Sequence, residues 1–230
     1  MEVYHTMNVT EKIGEEYKKW GEHDKIFISA PTGAGKTYFV LHELLPHAES
    51  TNKKILFLVN RRLLKEQVKA EIDKLKFEQK NRIRVELYQT LENEMSKMEY
   101  KPEQQCMRAA GYDALATYAD YDYVVCDECH YFFTDSNYNT NTALSYRWIQ
   151  ECFSHKVRIF MSATIKETKA YIEAYDEKRS NERTFIYEFE SKISIGRELT
   201  HKRESYDYLM DKNYDYVDVH IIKKMKILLS

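Results

Sequence analysis

Short apolar runs alternate along the chain with longer stretches in which apolar residues recur at helical spacing. Residues 54–59 form a nearly continuous apolar run, which is typical of a strand buried on both faces of a parallel sheet. Residues 62–76 instead place Leu64, Val68 and Ile72 on one helical face, with Lys and Glu between them. The same criteria predict five further strands, at residues 26–28, 82–88, 123–126, 157–161 and 184–189.

Helical segments separate the predicted strands, and such connections imply right-handed βαβ crossovers. We therefore predict an α/β fold with a central, mostly parallel sheet and helices on both faces. Ligands of such sheets bind at the carboxyl ends of the strands. The pattern also predicts one capped amphipathic helix over residues 8–21, and a helix after the first strand that ends near Pro46.

The pattern changes near residue 190. Residues 191–213 are polar and non-periodic, as a linker would be. From residue 215 onward, apolar residues begin a new element that the chain does not complete. We expect residues 1–190 to form one domain, and residues 191–230 to be a linker with the start of an incomplete second domain.

Composition narrows the class of protein. Hydrophobic residues make up 43% and charged residues 31% of the chain, as in an ordinary globular protein. No apolar run reaches the roughly 20 residues of a membrane span, and the first residues lack a signal-peptide pattern. We therefore expect a cytoplasmic protein without a membrane partner. The net charge of −2 means that any contact with nucleic acid would have to be local.

The segment after the first predicted strand, which we call the phosphate loop, ends in Gly-Lys-Thr. It consists of Ala30, Pro31, Thr32, Gly33, Ala34, Gly35, Lys36 and Thr37. Between a strand and a helix, such a loop curls so that backbone N–H groups cradle a phosphate chain. Lys36 would then reach the β- and γ-phosphates, and Thr37 would offer its hydroxyl to Mg²⁺. The alternative is a glycine-rich turn that binds nothing, and the strict pattern has Gly in place of Ala30.

Two acids follow the buried strand at residues 123–126. Beside a phosphate loop, an acid at a strand end can hold Mg²⁺ through water, which is the role we predict for Asp127. A second acid can accept the proton of the water that attacks the γ-phosphate, which is the role we predict for Glu128. The alternative for an isolated Asp-Glu pair is a solvated turn. The phosphate loop upstream favours the catalytic interpretation.

These motifs, in consistent order over about residues 10–165, resemble those of the first RecA-like domain of a DExH-type superfamily-two helicase. Residues 30–37 (APTGAGKT) match that group's phosphate loop, including its Ala start, and residues 127–130 (DECH) match its second motif. Residues 162–164 (SAT) match its third motif, which in the family links nucleotide state to nucleic-acid engagement. The resemblance implies a RecA-like P-loop NTPase fold. It also implies coupling roles for Ser162 and Thr164, and we assign a coupling role to His130 because it adjoins the two acids.

Two further segments are similar to nucleic-acid-contacting motifs of that family. Residues 58–67 resemble its motif Ia, although Asn60 and Arg61 replace the usual Pro and Thr. Residues 88–90 (Tyr-Gln-Thr) resemble a short motif that touches the nucleic-acid backbone. The resemblance implies contacts by Asn60, Arg61, Arg62, Gln89 and Thr90. Arg61 and Arg62 are equally well explained as solvated charges at a helix start.

The resemblance implies an ATP-binding and ATP-hydrolysing N-terminal motor domain of a DNA or RNA helicase or translocase, with Mg²⁺ as cofactor. In the family, a second RecA-like domain carries arginine fingers and half of the nucleic-acid groove. We expect that domain to be absent from this chain, which should make the isolated chain weak or inactive. Two alternatives remain open. One is a duplex-tracking translocase subunit of a restriction or remodelling complex, and the other is a non-enzymatic nucleotide-binding scaffold.

Overall fold

The computed structural model describes residues 7–97, 118–134, 142–175 and 182–189. All of these residues lie in one compact unit, Met1–Phe189. The predicted linker at residues 191–213 and the apolar element after residue 215 lie outside the described residues. The division into a complete and an incomplete domain therefore stays a prediction.

The described strands form one parallel sheet of six strands in the order β3-β2-β4-β5-β1-β6. They are β1 Lys25–Ser29, β2 Ile55–Val59, β3 Ile83–Leu87, β4 Tyr123–Asp127, β5 Val157–Ser162 and β6 Thr184–Glu188. Each strand agrees with its prediction to within about one residue at either end, which is closer than strand boundaries usually are. The predicted α/β class with a parallel sheet is confirmed.

The helices, apart from α1, lie between the strands in sequence. They are α1 Val9–Ile13, α2 Lys36–Phe39, α3 Leu45–Ser50, α4 Arg62–Ile72, α5 Phe77–Lys80, α6 Tyr88–Lys97, α7 Tyr131–Thr134, α8 Thr142–Phe153 and α9 Ile165–Tyr175. Within the described ranges, none of the helices has the length and apolar character needed to cross a lipid bilayer.

Alternate residues of the central strands enter two separate hydrophobic cores. Ile26 and Ile28 of β1 pack into the first core, which side chains of α1 to α4 complete. Phe27 points into the second core, which side chains of α6 to α9 cover. There it stacks on Phe160 of β5, with 5.4 Å between the ring centroids. The sheet thus carries helices on both faces, as strands that are apolar on both sides require.

The strand order places β5 between β1, which leads into the phosphate loop, and β4, which leads into the two acids. The chain leaves β1 through helices of the first core and leaves β5 through α9 in the second core. The direction of winding therefore reverses here, and ligands of parallel sheets bind in the crevice at such a reversal. The register pairs Ser29 with Ser162, and Asp127 with Met161. The three strands therefore end level with one another.

The helix predicted over residues 8–21 is interrupted. Asn8 caps α1 and forms the reciprocal capping box with Glu11, so the predicted helix is capped at its amino end. The helix nevertheless ends at Gly14, because the backbone there turns to a φ of +54°, a conformation that glycine adopts without steric penalty. A separate 3₁₀ turn, Glu16–Lys19, follows. The apolar spacing alone could not reveal this break, since both turns bury their apolar side chains.

The prediction that a helix ends near Pro46 is wrong. After α2 the backbone forms a wider π-type turn, Val40–Leu44, and then continues as α3. Pro46 lies in the first turn of α3, where a helix tolerates a residue without an N–H donor. Because the hydrogen-bonding pattern is reset just before the proline, helical backbone extends to Ser50.

Three charged side chains are buried together at the amino end of the sheet. Lys25 of β1 and Arg158 of β5 are paired in register, and both form ion pairs with Glu182, which precedes β6. The Arg158 Nη2 atom lies 3.7 Å from Glu182 Oε2, and none of the three side chains is more than 7% exposed. Buried charges of this kind are tolerated only when they are paired. The cluster therefore connects the edge strand β6 to the centre of the sheet.

We predict that Glu182→Gln lowers the free energy of unfolding by about 3 kcal/mol, because the neutral amide leaves Lys25 and Arg158 buried beside each other without its charge. The measurement is urea unfolding of the 230-residue chain at neutral pH. The matched control is Glu71→Gln, which breaks an exposed pair with Lys74 and should change stability by about 0.5 kcal/mol or less. Equal losses in both variants would contradict the prediction.

Candidate nucleotide-binding site

The phosphate loop runs from the end of β1 to the start of α2. Gly33 and Gly35 have φ angles of +83° and +88°, which L-residues rarely adopt. A side chain at Gly33 would meet nothing within 4 Å, so the backbone conformation, and not lack of space, is what requires glycine. The loop is anchored at its first residue and again at Ala34, because Ala30 N donates to Ser162 O at 3.1 Å and Val9 N donates to Ala34 O at 3.0 Å.

Lys36 directs its ammonium group into the loop. Its side chain is only 8% exposed, and Nζ donates to the main-chain oxygen of Ala30 at 2.9 Å. Nζ also lies 3.7 Å from Glu128 Oε1, which ties the start of α2 to the end of β4. Thr37, the next residue of α2, is partly buried. A loop with a buried cation and left-handed glycines has the charge and backbone shape that a phosphate chain requires.

Asp127 is a buried acid at the end of β4. The residue is 4% exposed, and its Oδ1 atom has no hydrogen-bond partner among the described residues. Burial, and secondarily the charge of Glu128, raises the pKa of Asp127 from 3.8 to about 6. An unpaired carboxylate oxygen in such a place fits a cation ligand, because a bound cation would offset both effects.

Glu128 has the opposite electrostatic environment. A hydrogen bond from His130 and the nearby charge of Lys36 lower its pKa, although partial burial opposes them. Its Oε2 atom lies 3.2 Å from His130 Nδ1. Its backbone has a φ of +50°, a left-handed conformation that is uncommon for residues other than glycine. Two adjacent acids thus have pKa values shifted in opposite directions, which is typical of acid and base pairs that divide their roles.

His130 connects the acids to the end of β5. Its Nδ1 atom lies 2.9 Å from Ser162 Oγ, and that oxygen accepts a hydrogen bond from Thr164 N at 3.1 Å. The main-chain oxygen of Ser162 in turn accepts from Ala30 N of the phosphate loop. The structure therefore brings together the phosphate loop, the acid turn (residues 127–130) and residues 162–164, which are far apart in sequence.

The residues predicted to contact nucleic acid form a second group at the same edge of the sheet. Asn60, Arg61 and Arg62 follow β2, and Gln89 and Thr90 lie in the first turn of α6 after β3. Gln89 Nε2 donates to the main-chain oxygen of Asn60 at 3.4 Å, so the two segments are in contact. Arg61 and Arg62 are exposed, which suits both a phosphate contact and a solvated charge.

Tyr88 belongs to the segment 88–90, but the sequence assigns no function to its side chain. It is fully buried, and its hydroxyl donates to the main-chain oxygen of Asp127 at 2.9 Å. Burial raises the pKa of this phenol well above its ordinary value, so it stays protonated and can donate. The sequence did place Tyr88 at the carboxyl end of a predicted strand, where ligands bind. It could not show that Tyr88 would contact Asp127, which lies 39 residues further along the chain.

Residues 3–167 match the profile of a family described as type III restriction enzyme, res subunit. The chain belongs to this family. Membership supports a helicase-type ATPase motor domain with the RecA-like fold, in agreement with the parallel sheet and the phosphate loop. The subgroup named from the DECH residues stays a prediction.

The chain is also similar to a solved structure described as a hypothetical ATP-dependent RNA helicase from Sulfolobus tokodaii. The two share 18% sequence identity with a TM-score of 0.48, over 79% of this chain and 52% of the other. The present chain therefore spans about half the length of the Sulfolobus tokodaii protein. No curated protein matches the chain.

The raised pKa of Asp127 predicts how stability depends on pH. The native chain holds this proton more tightly than the unfolded chain, so the contribution of Asp127 to the free energy of unfolding falls as pH rises from about 4 to about 6. Asp127→Asn removes the group that ionises. We expect its stability gain over wild type to be about 2 kcal/mol larger at pH 7.5 than at pH 4.5.

The measurement is urea unfolding of both proteins at the two pH values, in the absence of divalent cations. The comparison between the two pH values cancels any effect of the amide on packing. A gain that is the same at both pH values would show that Asp127 ionises normally in the folded chain.

Proposed function

We propose that this chain is the ATP-binding, Mg²⁺-dependent motor domain of a DNA or RNA helicase or translocase of the DExH type. One observation carries the proposal: Glu128 bridges Lys36 of the phosphate loop and His130, which contacts Ser162. Such a chain of contacts joins a phosphate site, an ionised acid and a third motif in one crevice. These contacts would not be expected if Asp127 and Glu128 were only a solvated turn.

The phosphate loop would bind the triphosphate through its backbone N–H groups and the Lys36 ammonium group. Thr37 and Asp127 would hold Mg²⁺, which neutralises charge on the phosphates when it is bound. The described residues contain no cluster of three or more His, Cys, Asp or Glu side chains that could hold a metal. One carboxylate and one hydroxyl are nevertheless suitable, because Mg²⁺ usually keeps several waters and takes its remaining ligands from substrate phosphates.

Glu128 would accept the proton of the attacking water as the oxygen–phosphorus bond to the new phosphate forms and the bond to ADP breaks. Its lowered pKa keeps it ionised and able to act as a base at neutral pH. Lys36 lies near one of its carboxylate oxygens and His130 near the other. This arrangement orients the carboxylate, and it leaves Asp127 as the distinct cation ligand.

Coupling to nucleic acid would run through the contacts at the end of β5. Ser162 touches His130 with its side chain and the phosphate loop with its main chain. Asn60, Arg61, Arg62, Gln89 and Thr90 would contact the nucleic-acid backbone. A second RecA-like domain would contribute an arginine across the crevice, and such groups increase phosphoryl-transfer rates by roughly 10³–10⁵.

A second candidate function is supported by the family itself. Its description names a restriction enzyme subunit, and such an assembly could use the same motor to track along duplex DNA without separating its strands. Strand-displacement and triplex-displacement assays on a protein that includes both motor domains would distinguish these functions. A helicase displaces a strand of the duplex itself, whereas a translocase displaces only the third strand.

Lys36→Ala should weaken ATP binding by about 100-fold or more, because it removes the buried cation that faces the phosphate loop. Calorimetry with Mg²⁺ and ATP on the 230-residue chain measures this loss. Lys69→Ala, which removes an exposed lysine of α4, is the matched control and should bind like wild type. Wild-type affinity in folded Lys36→Ala would refute the phosphate-loop assignment.

Glu128→Gln should retain ATP binding and lose turnover by about 10²–10⁴, because an amide fills the same space and cannot take a proton. The assay is steady-state ATP hydrolysis, with saturating single-stranded nucleic acid, by a protein that includes the second motor domain. ATP affinity, measured in parallel, is the internal control. Turnover within about threefold of wild type would assign Glu128 a different role. Absence of turnover in wild type as well would favour the scaffold alternative.

A further inference from the structure

Tyr88 lies between the predicted nucleotide-binding residues and the predicted nucleic-acid contacts. It is the first residue of α6 and is followed directly by Gln89 and Thr90, the predicted nucleic-acid contacts. Its side chain points the other way, into the second core, where it is fully buried. There the hydroxyl donates to the main-chain oxygen of Asp127 at 2.9 Å. One residue therefore links the start of α6 to the end of β4.

The oxygen that accepts this hydrogen bond belongs to a particular peptide group. It is the peptide that joins Asp127 to Glu128, the predicted metal ligand and the predicted base. Glu128 has a φ of +50°. Rotation about its N–Cα bond, which φ describes, would move the Glu128 side chain relative to Asp127. A left-handed residue keeps its conformation only where neighbouring groups hold the backbone. The Tyr88 hydroxyl holds the peptide plane on which both carboxylates depend.

The ring of Tyr88 is itself fixed by α7, the helix that follows the acid turn. It stacks on Tyr131 with 5.3 Å between centroids and 11° between planes, and it contacts Phe132 edge-on at 5.0 Å. Gln89 Nε2 donates to the Tyr131 hydroxyl at 2.8 Å. The start of α6 thus contacts this region at two points, at Asp127, the first residue of the acid turn, and at Tyr131, directly after it.

A buried acid completes the same network. Glu92, one turn further along α6, accepts hydrogen bonds from Ser145 Oγ of α8 at 2.6 Å and from the Tyr131 hydroxyl at 3.5 Å. It is 4% exposed. A buried carboxyl group that accepts two hydroxyl hydrogen bonds constrains the groups around it, because a displacement would leave a buried polar group without these partners. This contact adds a second link between Tyr131 and α6, beside the one through Gln89.

We propose that Tyr88 is a positioning residue whose hydroxyl fixes the orientation of the Asp127–Glu128 peptide. The position of the first turn of α6 would thereby determine the positions of both acids. The inference rests on the proposed function, because it assigns these acids to Mg²⁺ and water. A displacement of the backbone at Gln89 or Thr90 would move the Tyr88 hydroxyl, and with it the peptide. Tyr88 would then connect the second group of site residues to the first.

The test is Tyr88→Phe in the 230-residue chain, which removes the hydroxyl and keeps the stacked ring. Binding of a fluorescent ATP analogue is titrated as a function of Mg²⁺ concentration. We expect the Mg²⁺ concentration for half-maximal enhancement of binding to rise by about fivefold, as for loss of one buried hydrogen bond. Binding without Mg²⁺ should be unchanged, because the phosphate loop is intact.

Tyr123→Phe is the matched control. Tyr123 is equally buried and lies in the same strand as Asp127, but at its other end, where its hydroxyl is 3.5 Å from Lys53 Nζ. This variant should match wild type in its Mg²⁺ requirement. Tyr131→Phe is a second probe that keeps the ring stack and removes the oxygen bonded to Gln89. It should raise the Mg²⁺ requirement by about twofold.

The outcomes separate this inference from the proposed function. A higher Mg²⁺ requirement in Tyr88→Phe alongside a normal Tyr123→Phe supports the positioning role. If wild type binds the nucleotide with Mg²⁺ and Tyr88→Phe behaves like Tyr123→Phe, only the positioning role is overturned. If Tyr88→Phe does not fold, the positioning role is overturned, because the hydroxyl would then be needed by the whole fold and not by this peptide alone. Failure of wild type to bind the nucleotide at all would overturn the proposed function and this inference together.

Discussion

The arrangement of the site depends on the parallel register of β5 with its two neighbours. Ser162 pairs with Ser29 of β1, and Met161 pairs with Asp127 of β4. Beyond the strand ends the same pattern continues, because Ala30 N donates to Ser162 O and Cys129 N donates to Met161 O. Main-chain hydrogen bonds to two consecutive residues of β5 therefore hold the phosphate loop and the acid turn in place. A slip of one residue would turn every side chain of β5 to the opposite core.

The pKa values of Asp127 and Glu128 are shifted in opposite directions because β4 ends between the two residues. Asp127 still belongs to β4 and is buried like the rest of the strand, so burial raises its pKa. Glu128 lies one residue later, where the left-handed backbone turns its side chain towards Lys36 and His130. The electrostatic difference follows from a change in backbone direction between adjacent residues. Two acids in an extended strand would instead have pointed to opposite faces of the sheet.

The sequence predicted the sheet, and the strand-to-helix position of residues 30–37, well because both depend on local patterns. Apolar runs mark strands, and a loop such as residues 30–37 needs only its own backbone and its flanking elements. The break at Gly14 and the continuation past Pro46 were missed because the backbone, and not hydrophobicity, decides them. The contact of Tyr88 with Asp127 joins residues 39 apart in sequence, and only the folded arrangement of β4 and α6 creates it. Local composition carries no record of such a pairing.

The acid turn contains two features that oppose folding. Asp127 buries a carboxylate oxygen that lacks a hydrogen-bond partner in the described structure, and Glu128 adopts a left-handed backbone. Features of this kind each cost about 1–3 kcal/mol and persist only where the surroundings determine the conformation. Here β5 holds Cys129 N, the first turn of α6 holds Asp127 O, and Tyr131 N closes the turn on Glu128 O. The geometry that a catalytic role needs is therefore a property of β4, β5 and α6 together, and not of the motif alone.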